Sequence, residues 1–269
     1  MTGLSLLALV ACPACHRTQA APDPIPTHET FRIPSQALGE ERVINVHLPP
    51  AYLAHPDSPF PVLYMPDGGI GEDFPHIVNT LAELTAAGEV EPLIVVGIEN
   101  TQRRRDLTGP TEVESDRKIA PVVGGSAAFR AFIRDELMPE VERRYRCAGR
   151  TGIVGESAAG LFIMETFCLE PTLFGTYIAL SPSLWWNDHA LVRGAEESVR
   201  RTASLGLTLY LAVANETDIR PPADAFAAVL EQAAPADLAW TYVPRPDLRH
   251  GTIYRAESAP AFRTVFAPR

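Results

Sequence analysis

The chain has 269 residues, of which 46% are hydrophobic and 21% are charged, and its formal net charge is -10. This composition is typical of a globular protein with a large buried core, and it excludes collagen-like, disordered and membrane-embedded chains. The excess negative charge repels phosphate backbones, so we expect no nucleic acid as a partner.

An apolar run near the N-terminus, LSLLALVA at residues 4–11, is too short to span a bilayer and predicts the core of an export signal. Two processing sites fit the residues that follow. Leu9–Cys12 matches a bacterial lipobox, in which Cys12 carries a lipid anchor, whereas Thr18–Ala20 matches an ordinary secretory cleavage site. We therefore expect residues 1–27 to be a leader and linker, and the protein to be exported: periplasmic, anchored to the membrane as a lipoprotein, or secreted.

Short apolar runs alternate with helical patterns over residues 28–269, which predicts a single α/β domain built on a doubly wound, mostly parallel sheet. The predicted strands are Glu41–Leu48, Pro61–Met65, Pro92–Ile98, Thr151–Val154, Tyr177–Leu180, Leu207–Ala214 and Leu238–Val243. Helices are predicted over 126–145 with a bend at Pro139, over Ala158–Leu169, near 190–203 and 222–233, and over 257–266.

The sequence GESAAG at 155–160 lies between a buried strand and a buried helix, which is the context of a nucleophile elbow. Small residues let the backbone turn sharply, so that the Ser157 hydroxyl projects above the end of the strand. The amide of Ala158 then lies at a helix N-terminus, where it can stabilise an oxyanion. Ala159 replaces the last glycine of the G-x-S-x-G pattern. Ser126 has the same spacing, but no strong strand precedes it, and we expect it to be a helix N-cap.

A serine nucleophile needs a histidine base and a carboxylate, and in this type of fold they follow the serine in the order acid, then histidine. Only His250 follows the last predicted strand, so we expect it to be the base. The acid is expected just after the strand that ends at Ala214, where Glu216 and Asp218 are both candidates. The residues alone leave these two open.

The second oxyanion donor is expected in a glycine-bearing turn after an earlier central strand. The turn Asp67-Gly68-Gly69 follows the predicted strand Pro61–Met65. Gly69 is the first candidate for the donating amide and Gly68 the second.

These motifs together resemble the putative-esterase family of α/β-hydrolases, which contains esterase D, siderophore esterases and feruloyl esterases. The resemblance spans about residues 28–268 and is carried by these segments: LYMPDGG, ENTQRRRDLTGP, FIRDELMPEVERRYR, IVGESAAGLF, LFGTYIALSPSLWW and PDLRHGTIY. The segment SPSLWW is most similar to the siderophore-esterase branch. The resemblance implies an α/β-hydrolase fold with Ser157 and His250 as the catalytic pair, and an oxyanion hole formed by the DGG turn and Ala158.

Two further features bear on the substrate. Trp185 and Trp186 lie at the carboxyl edge of the predicted sheet, where they are candidates to stack on an aryl or flat acyl group, although a buried tryptophan is equally typical of a core. The run Arg103–Arg105, with Arg105 as the candidate binding residue, suits either an anionic ester or a solvated loop.

Cys147 and Cys168 flank the predicted strand and helix around Ser157. A strand of about five residues and a helix of about eleven both extend roughly 16 Å, so the two cysteines are expected to end side by side. A disulfide between them is predicted against the alternative of two buried thiols.

The sequence therefore predicts an exported serine hydrolase that cleaves a small carboxylic ester, of siderophore, aryl or feruloyl type, through an acyl-enzyme on Ser157. No cofactor or metal is expected, because no zinc-protease, phosphate-loop or dinucleotide motif occurs. Two alternatives stay open: an acyltransferase of the same fold, and a catalytically silent surface lipoprotein that binds a ligand.

Overall fold

The computed structural model describes residues 22–268, so the predicted export signal and the lipid anchor predicted at Cys12 lie outside the described residues. Within the described range, no helix combines the length and the apolar character that a membrane crossing requires.

An eight-stranded sheet forms the centre of the structure, with the strand order β1-β2-β4-β3-β5-β6-β7-β8. The first two strands pair antiparallel, β2 pairs antiparallel with β4, and every pair from β4 to β8 is parallel. The strands are β1 Glu29–Ser35, β2 Glu40–His47, β3 Phe60–Pro66, β4 Ile94–Ile98, β5 Cys147–Glu156, β6 Thr176–Leu180, β7 Thr208–Ala214 and β8 Ala239–Arg245. This is the expected α/β-hydrolase fold.

Helices cover both faces of the sheet, which explains why β3 and β4 are continuous apolar runs with every residue buried. They are α1 Pro50–Ala54, α2 Phe74–Ala86, α3 Arg103–Leu107, α4 Glu114–Arg117, α5 Ser126–Phe132, α6 Met138–Arg144, α7 Ala158–Leu169, α8 Trp186–Arg193, α9 Ala195–Arg200, α10 Arg220–Ala233 and α11 His250–Val265. Apolar side chains of α2 and α11 form one core, and those of α5, α7 and α10 form the core on the opposite face.

The structure differs from the predicted elements in several places, among them the helix α2, which was not predicted. The helix expected over 126–145 is interrupted by a π-helical turn, Ile133–Leu137. Pro139 has no N–H to bond residue 135, and the wider turn before it avoids the clash of its ring with that carbonyl. The last helix begins at His250 rather than near 257, and the edge strand β1 was not predicted because only its last residue is buried.

The disulfide predicted between Cys147 and Cys168 is wrong, because both thiols are free. The prediction took the strand before Ser157 as about five residues long, whereas β5 has ten and extends about 30 Å. The twelve-residue helix α7 returns only about 18 Å, so Cys168 does not reach the start of β5. Burial raises the pKa of the Cys168 thiol to about 12.

A buried ion-pair network ties the loop after β4 to the edge of the sheet. Arg42 on β2 is fully buried and donates to Asp106 of α3 at 2.5 Å. Arg105 donates to the same carboxylate and to Glu40, while Thr101 bonds both Arg42 and Glu40. This network, called here the Arg42 network, fixes α3 against the sheet.

We predict that Asp106→Ala lowers the free energy of unfolding by about 3–5 kcal/mol, because it removes one partner of a fully buried arginine. Urea unfolding of the purified protein measures this change. The matched control is Asp135→Ala, which removes an exposed partner of Arg134 and should leave the free energy of unfolding nearly unchanged. Equal effects of the two substitutions would contradict the structural role assigned to the Arg42 network.

Candidate active site

Ser157 lies in the sharp turn between β5 and α7, with φ 62° and ψ -115°. A non-glycine residue at positive φ is strained, and such strain persists only where the surroundings hold it. Here the Ser157 amide donates to the Leu180 carbonyl at 3.0 Å, and its carbonyl accepts from Ser183 at 3.1 Å. The turn thereby presents the hydroxyl above the carboxyl end of the sheet.

The glycines around Ser157 show why alanine is tolerated at the last motif position. A Cβ atom placed on Gly155 would lie 2.6 Å from the Cβ of Ala159, so one of these two positions must be glycine. The close approach to the next loop falls on Gly160, whose added Cβ would lie 3.0 Å from Pro182 Cα. Ala159 therefore fits the elbow because Gly155 and Gly160 supply the space.

His250 is the first residue of α11, and its Nε2 lies 2.9 Å from Ser157 Oγ. The loop before α11 is held to the end of β7 by a backbone hydrogen bond from Asn215 to Leu248, 3.1 Å long. This bond brings the residues after β7 and the start of α11 to the same edge of the sheet as Ser157.

Of the two acid candidates, Glu216 is the one that the structure brings to His250. Its Oε2 lies 3.1 Å from His250 Nδ1, although the ring N–H direction is not well aligned with it. Asp218 is exposed and faces solvent. Burial raises the pKa of Glu216, and the adjacent histidine opposes that rise.

A second carboxylate, which the sequence reasoning left unassigned, lies on the other side of the imidazole. Glu156 occupies the variable position of the motif, and its Oε1 is 3.2 Å from His250 Nε2. This oxygen is buried without a hydrogen-bond partner among the described residues. Burial raises the pKa of Glu156 to about 8; Arg103 lowers it, and Asp73 and Asp67 raise it further.

The predicted oxyanion donors differ in what their amides bond. Ala158 is the first residue of α7, so its N–H has no intrahelical acceptor. The Gly69 N–H donates to Glu72 Oε2 at 2.7 Å, and the Gly68 N–H donates to the Ile98 carbonyl at 3.0 Å. The Gly68 amide is thus bonded to strand β4, whereas the Gly69 amide is bonded to the Glu72 side chain, which also accepts from Asn100 at 2.8 Å.

The DGG turn is held by residues of the loop after β4. Asp67 accepts two hydrogen bonds from Arg103, at 2.6 and 2.7 Å, and one from Asn100 at 2.6 Å. Asn45 donates to the Gly68 carbonyl from β2. A Cβ on Gly68 would lie 2.2 Å from a backbone atom of β4, so this turn requires glycine. Arg103 and Asn100 therefore position the turn, a role that sequence spacing did not indicate.

The two tryptophans have different surroundings. Trp186 is 5% exposed and its indole N–H donates to the Gly109 carbonyl at 2.9 Å, so it is a core residue that anchors a loop and does not face a ligand. Trp185 is half-buried and packs against Trp186 with ring centroids 6.0 Å apart. Only Trp185 stays a candidate for contact with substrate.

The three consecutive arginines also have different surroundings. Arg105, the predicted binding residue, is engaged by Glu40 and Asp106 in the Arg42 network and is not offered to a ligand. Arg103 is bonded to Asp67. Arg104 is half-buried and has no carboxylate partner within residues 22–268; burial and the neighbouring Arg103 lower its pKa. Of the three arginines, Arg104 is thus the one without a carboxylate partner among the described residues.

Comparison with known proteins identifies a family model and sequence relatives. The family model described as "Putative esterase" matches residues 35–245. The chain is 30% identical over 199 residues to the ferri-bacillibactin esterase BesA of Bacillus subtilis (strain 168), an alignment that covers 65% of this chain and 68% of the relative. It is 28% identical to the siderophore triacetylfusarinine C esterase of Aspergillus fumigatus over 66% of this chain and 63%, slightly under two thirds, of the relative.

Solved structures show the same fold. An IroE-like serine hydrolase from Shewanella oneidensis has a TM-score of 0.82 and 29% identity, covering 89% of this chain and 80% of its own. The BES protein from Bacillus cereus has a TM-score of 0.80 at 22% identity, covering 93% and 100% of the two chains.

We predict that Gly155→Ala destabilises the protein by about 1–3 kcal/mol, because the new methyl group meets the Cβ of Ala159 where β5 packs against α7. Thermal or urea unfolding measures the loss. Gly71→Ala is the control, since an added Cβ there meets nothing within 4 Å. The double substitution Gly155→Ala with Ala159→Gly should recover part of the stability; no recovery would show that this contact is not the cause.

Proposed function

Because the chain belongs to the putative-esterase family and is a carboxylic ester hydrolase, we propose that it cleaves its substrate through an acyl-enzyme on Ser157, with His250 as the base and Glu216 as the orienting acid. The observation that carries this proposal is the 2.9 Å contact between Ser157 Oγ and His250 Nε2 at a strained strand-to-helix turn.

The proposed reaction has two steps. His250 Nε2 takes the hydroxyl proton as Ser157 Oγ attacks the ester carbonyl, and the same proton then passes to the leaving alcohol as the carbon–oxygen bond breaks. A water molecule, deprotonated by His250, then attacks the acyl carbonyl; as the bond to Ser157 Oγ breaks and the acid is released, His250 returns that proton to Ser157 Oγ. Glu216 stabilises the imidazolium that forms in each step. It also favours the neutral tautomer that carries its proton on Nδ1 and leaves the Nε2 lone pair free.

The developing oxyanion is assigned to the amides of Ala158 and Gly69. Ala158 is ready for this role as the first residue of α7. The Gly69 amide donates to Glu72 in the free protein, so substrate must displace that carboxylate to use it. Gly68 is not assigned as an oxyanion donor, because its amide donates to the Ile98 carbonyl of β4.

For the substrate, we propose an anionic ester of the siderophore type. The names of two relatives describe esterases of siderophores, and Arg104 supplies a cation without a carboxylate partner among the described residues. Trp185 supplies a half-buried ring at the same edge of the sheet for an aryl group. Acyl transfer to an alcohol would use the same residues and is distinguished by product analysis.

Ser157→Ala should abolish both ester hydrolysis and covalent labelling by a fluorophosphonate probe, because Ser157 supplies the only hydroxyl that hydrogen-bonds His250 Nε2 in the described part of the chain. Cleavage of p-nitrophenyl acetate and labelling of the purified protein measure the two effects. A wild-type protein that neither labels nor cleaves would contradict the catalytic proposal and favour a binding protein. A Ser157→Ala variant with full activity would assign the reaction to another residue.

Glu216→Gln should lower kcat by a factor on the order of 10²–10⁴, because an amide leaves the imidazolium without its stabilising charge. Asp218→Asn is the matched control and should change kcat less than about twofold, since Asp218 is exposed and makes no contact with His250. The reverse ranking of the two variants would make Asp218 the acid.

Arg104→Gln should raise KM for a ferric siderophore ester by about tenfold, the effect of losing about 1.4 kcal/mol of charge-assisted binding. KM for the uncharged p-nitrophenyl acetate should change little, and that comparison is the internal control. Equal increases with both esters would indicate a structural effect, and no increase with either would remove Arg104 from substrate recognition.

A further inference from the structure

His250 Nε2 has two oxygen atoms within hydrogen-bonding distance. Ser157 Oγ lies at 2.9 Å, and Glu156 Oε1 lies at 3.2 Å. A neutral imidazole nitrogen either accepts one hydrogen bond or donates one. It accepts from Ser157 in the productive arrangement. In the alternative, a small rotation of the ring directs an Nε2 proton at Glu156 Oε1, which has no hydrogen-bond partner within residues 22–268 in the present arrangement. The two neighbours therefore compete for the same nitrogen, and they require opposite tautomers of the ring.

The charge on Glu156 decides this competition. With a proton on Oε2, the facing Oε1 is a carbonyl oxygen and exerts only a weak pull on the imidazole. As a carboxylate it is a strong acceptor, which favours the tautomer with the proton on Nε2. That tautomer has no lone pair toward Ser157, so it cannot take the hydroxyl proton.

We propose that Glu156 is a positioning residue for His250: in its acid form it leaves Nε2 free to accept the Ser157 proton, and in its ionised form it draws a proton onto Nε2 and disables the base. This proposal rests on the proposed function of Ser157 and His250. It assigns a role to a residue that lies beside the nucleophile in the sequence but is not a member of the triad.

The surroundings of Glu156 determine its protonation. Its side chain is 16% exposed, and Oε1 lacks a hydrogen-bond donor among the described residues. Burial raises the pKa of Glu156 to about 8, so the acid form predominates at neutral pH. The charged and titratable groups that face it are Asp67 from the end of β3, Asp73 from the start of α2, Arg103 from α3, Glu216 from the loop after β7, and His250 and Tyr254 from α11.

The sign of the pH dependence follows from these contacts. A group whose pKa is about 8 is mostly protonated at pH 7 and about one tenth protonated at pH 9. Wild-type kcat/KM is therefore expected to fall about tenfold between pH 7 and pH 9. Glutamine cannot ionise, so Glu156→Gln is expected to keep the ratio of the two values near 1.

The experiment measures kcat/KM for p-nitrophenyl acetate from pH 6 to 10, with spontaneous hydrolysis subtracted at each pH. Each protein is compared with itself at two pH values, so a general loss of activity or of folded protein in the variant does not imitate the result. An alkaline fall in the wild type that is absent in Glu156→Gln supports the proposal. The same alkaline fall in both proteins, or a wild type without one, overturns it.

A second variant tests the proposal without changing Glu156. Asp73 raises the pKa of Glu156 by its charge, and its side chain makes no cap hydrogen bond to α2. Asp73→Asn should therefore move the midpoint of the alkaline fall to lower pH. A midpoint that stays in place or moves to higher pH would contradict the proposal.

Different results would overturn the catalytic proposal and the proposal for Glu156. If Ser157→Ala retains activity, the proposed function is wrong. If Ser157→Ala is inactive while Glu156→Gln has the wild-type pH profile, only the role of Glu156 is wrong.

Discussion

The left-handed backbone of Ser157 is the constraint on which the site depends. Holding a non-glycine residue at φ 62° costs on the order of 1–3 kcal/mol, and the chain holds it by fixing both flanks of the turn. The strand β5 pairs with a parallel neighbour on each side, and α7 is buried along almost its whole length. Neither flank can relax without disturbing the central sheet. The hydroxyl is therefore presented in one direction before any substrate arrives.

Other parts of the site are brought to this fixed point by polar contacts. The Arg42 network secures α3, α3 places Arg103 against Asp67, and Asp67 shapes the turn that carries Gly69. On the opposite side, the backbone hydrogen bond from Asn215 to Leu248 joins the loops that carry the acid and the base. Each of these loops is irregular, so its position depends on a few specific bonds rather than on a continuous ladder. This dependence explains why the ion pairs Arg42–Asp106 and Arg103–Asp67 lie beside the sheet.

The sequence was sufficient where a local pattern determines the structure. The elbow was predicted because Gly155, Ser157 and the buried helix after them are adjacent in the chain, and the observed limits of that helix, Ala158–Leu169, are those predicted. It was insufficient where the outcome depends on distant partners. The distinction between Arg103, Arg104 and Arg105 depends on whether each one meets a carboxylate, and the acids that Arg103 and Arg105 meet lie up to 65 residues away.

The choice between Glu216 and Asp218 stayed open for a related reason, since two residues in one irregular loop differ only in their final direction. The disulfide prediction failed because the length of β5 is set by pairing with β3, and its register shift adds residues that the apolar run does not reveal. Glu156 lay within the motif itself, at its variable position. Its significance comes from the approach of His250, which lies 94 residues after Glu156 and 93 residues after Ser157 in the chain.

The site gives the histidine two acidic neighbours with opposite consequences. Glu216 lies on the Nδ1 side, where a carboxylate orients the ring for proton abstraction from Ser157. Glu156 lies on the Nε2 side, where an equal charge would oppose it. Burial makes the ionisation of Glu156 unfavourable, and the carboxylates of Asp67, Asp73 and Glu216 in the same region add to that cost. Burial and the acidic surroundings together thus hold Glu156 in its neutral form at the pH where His250 needs its lone pair.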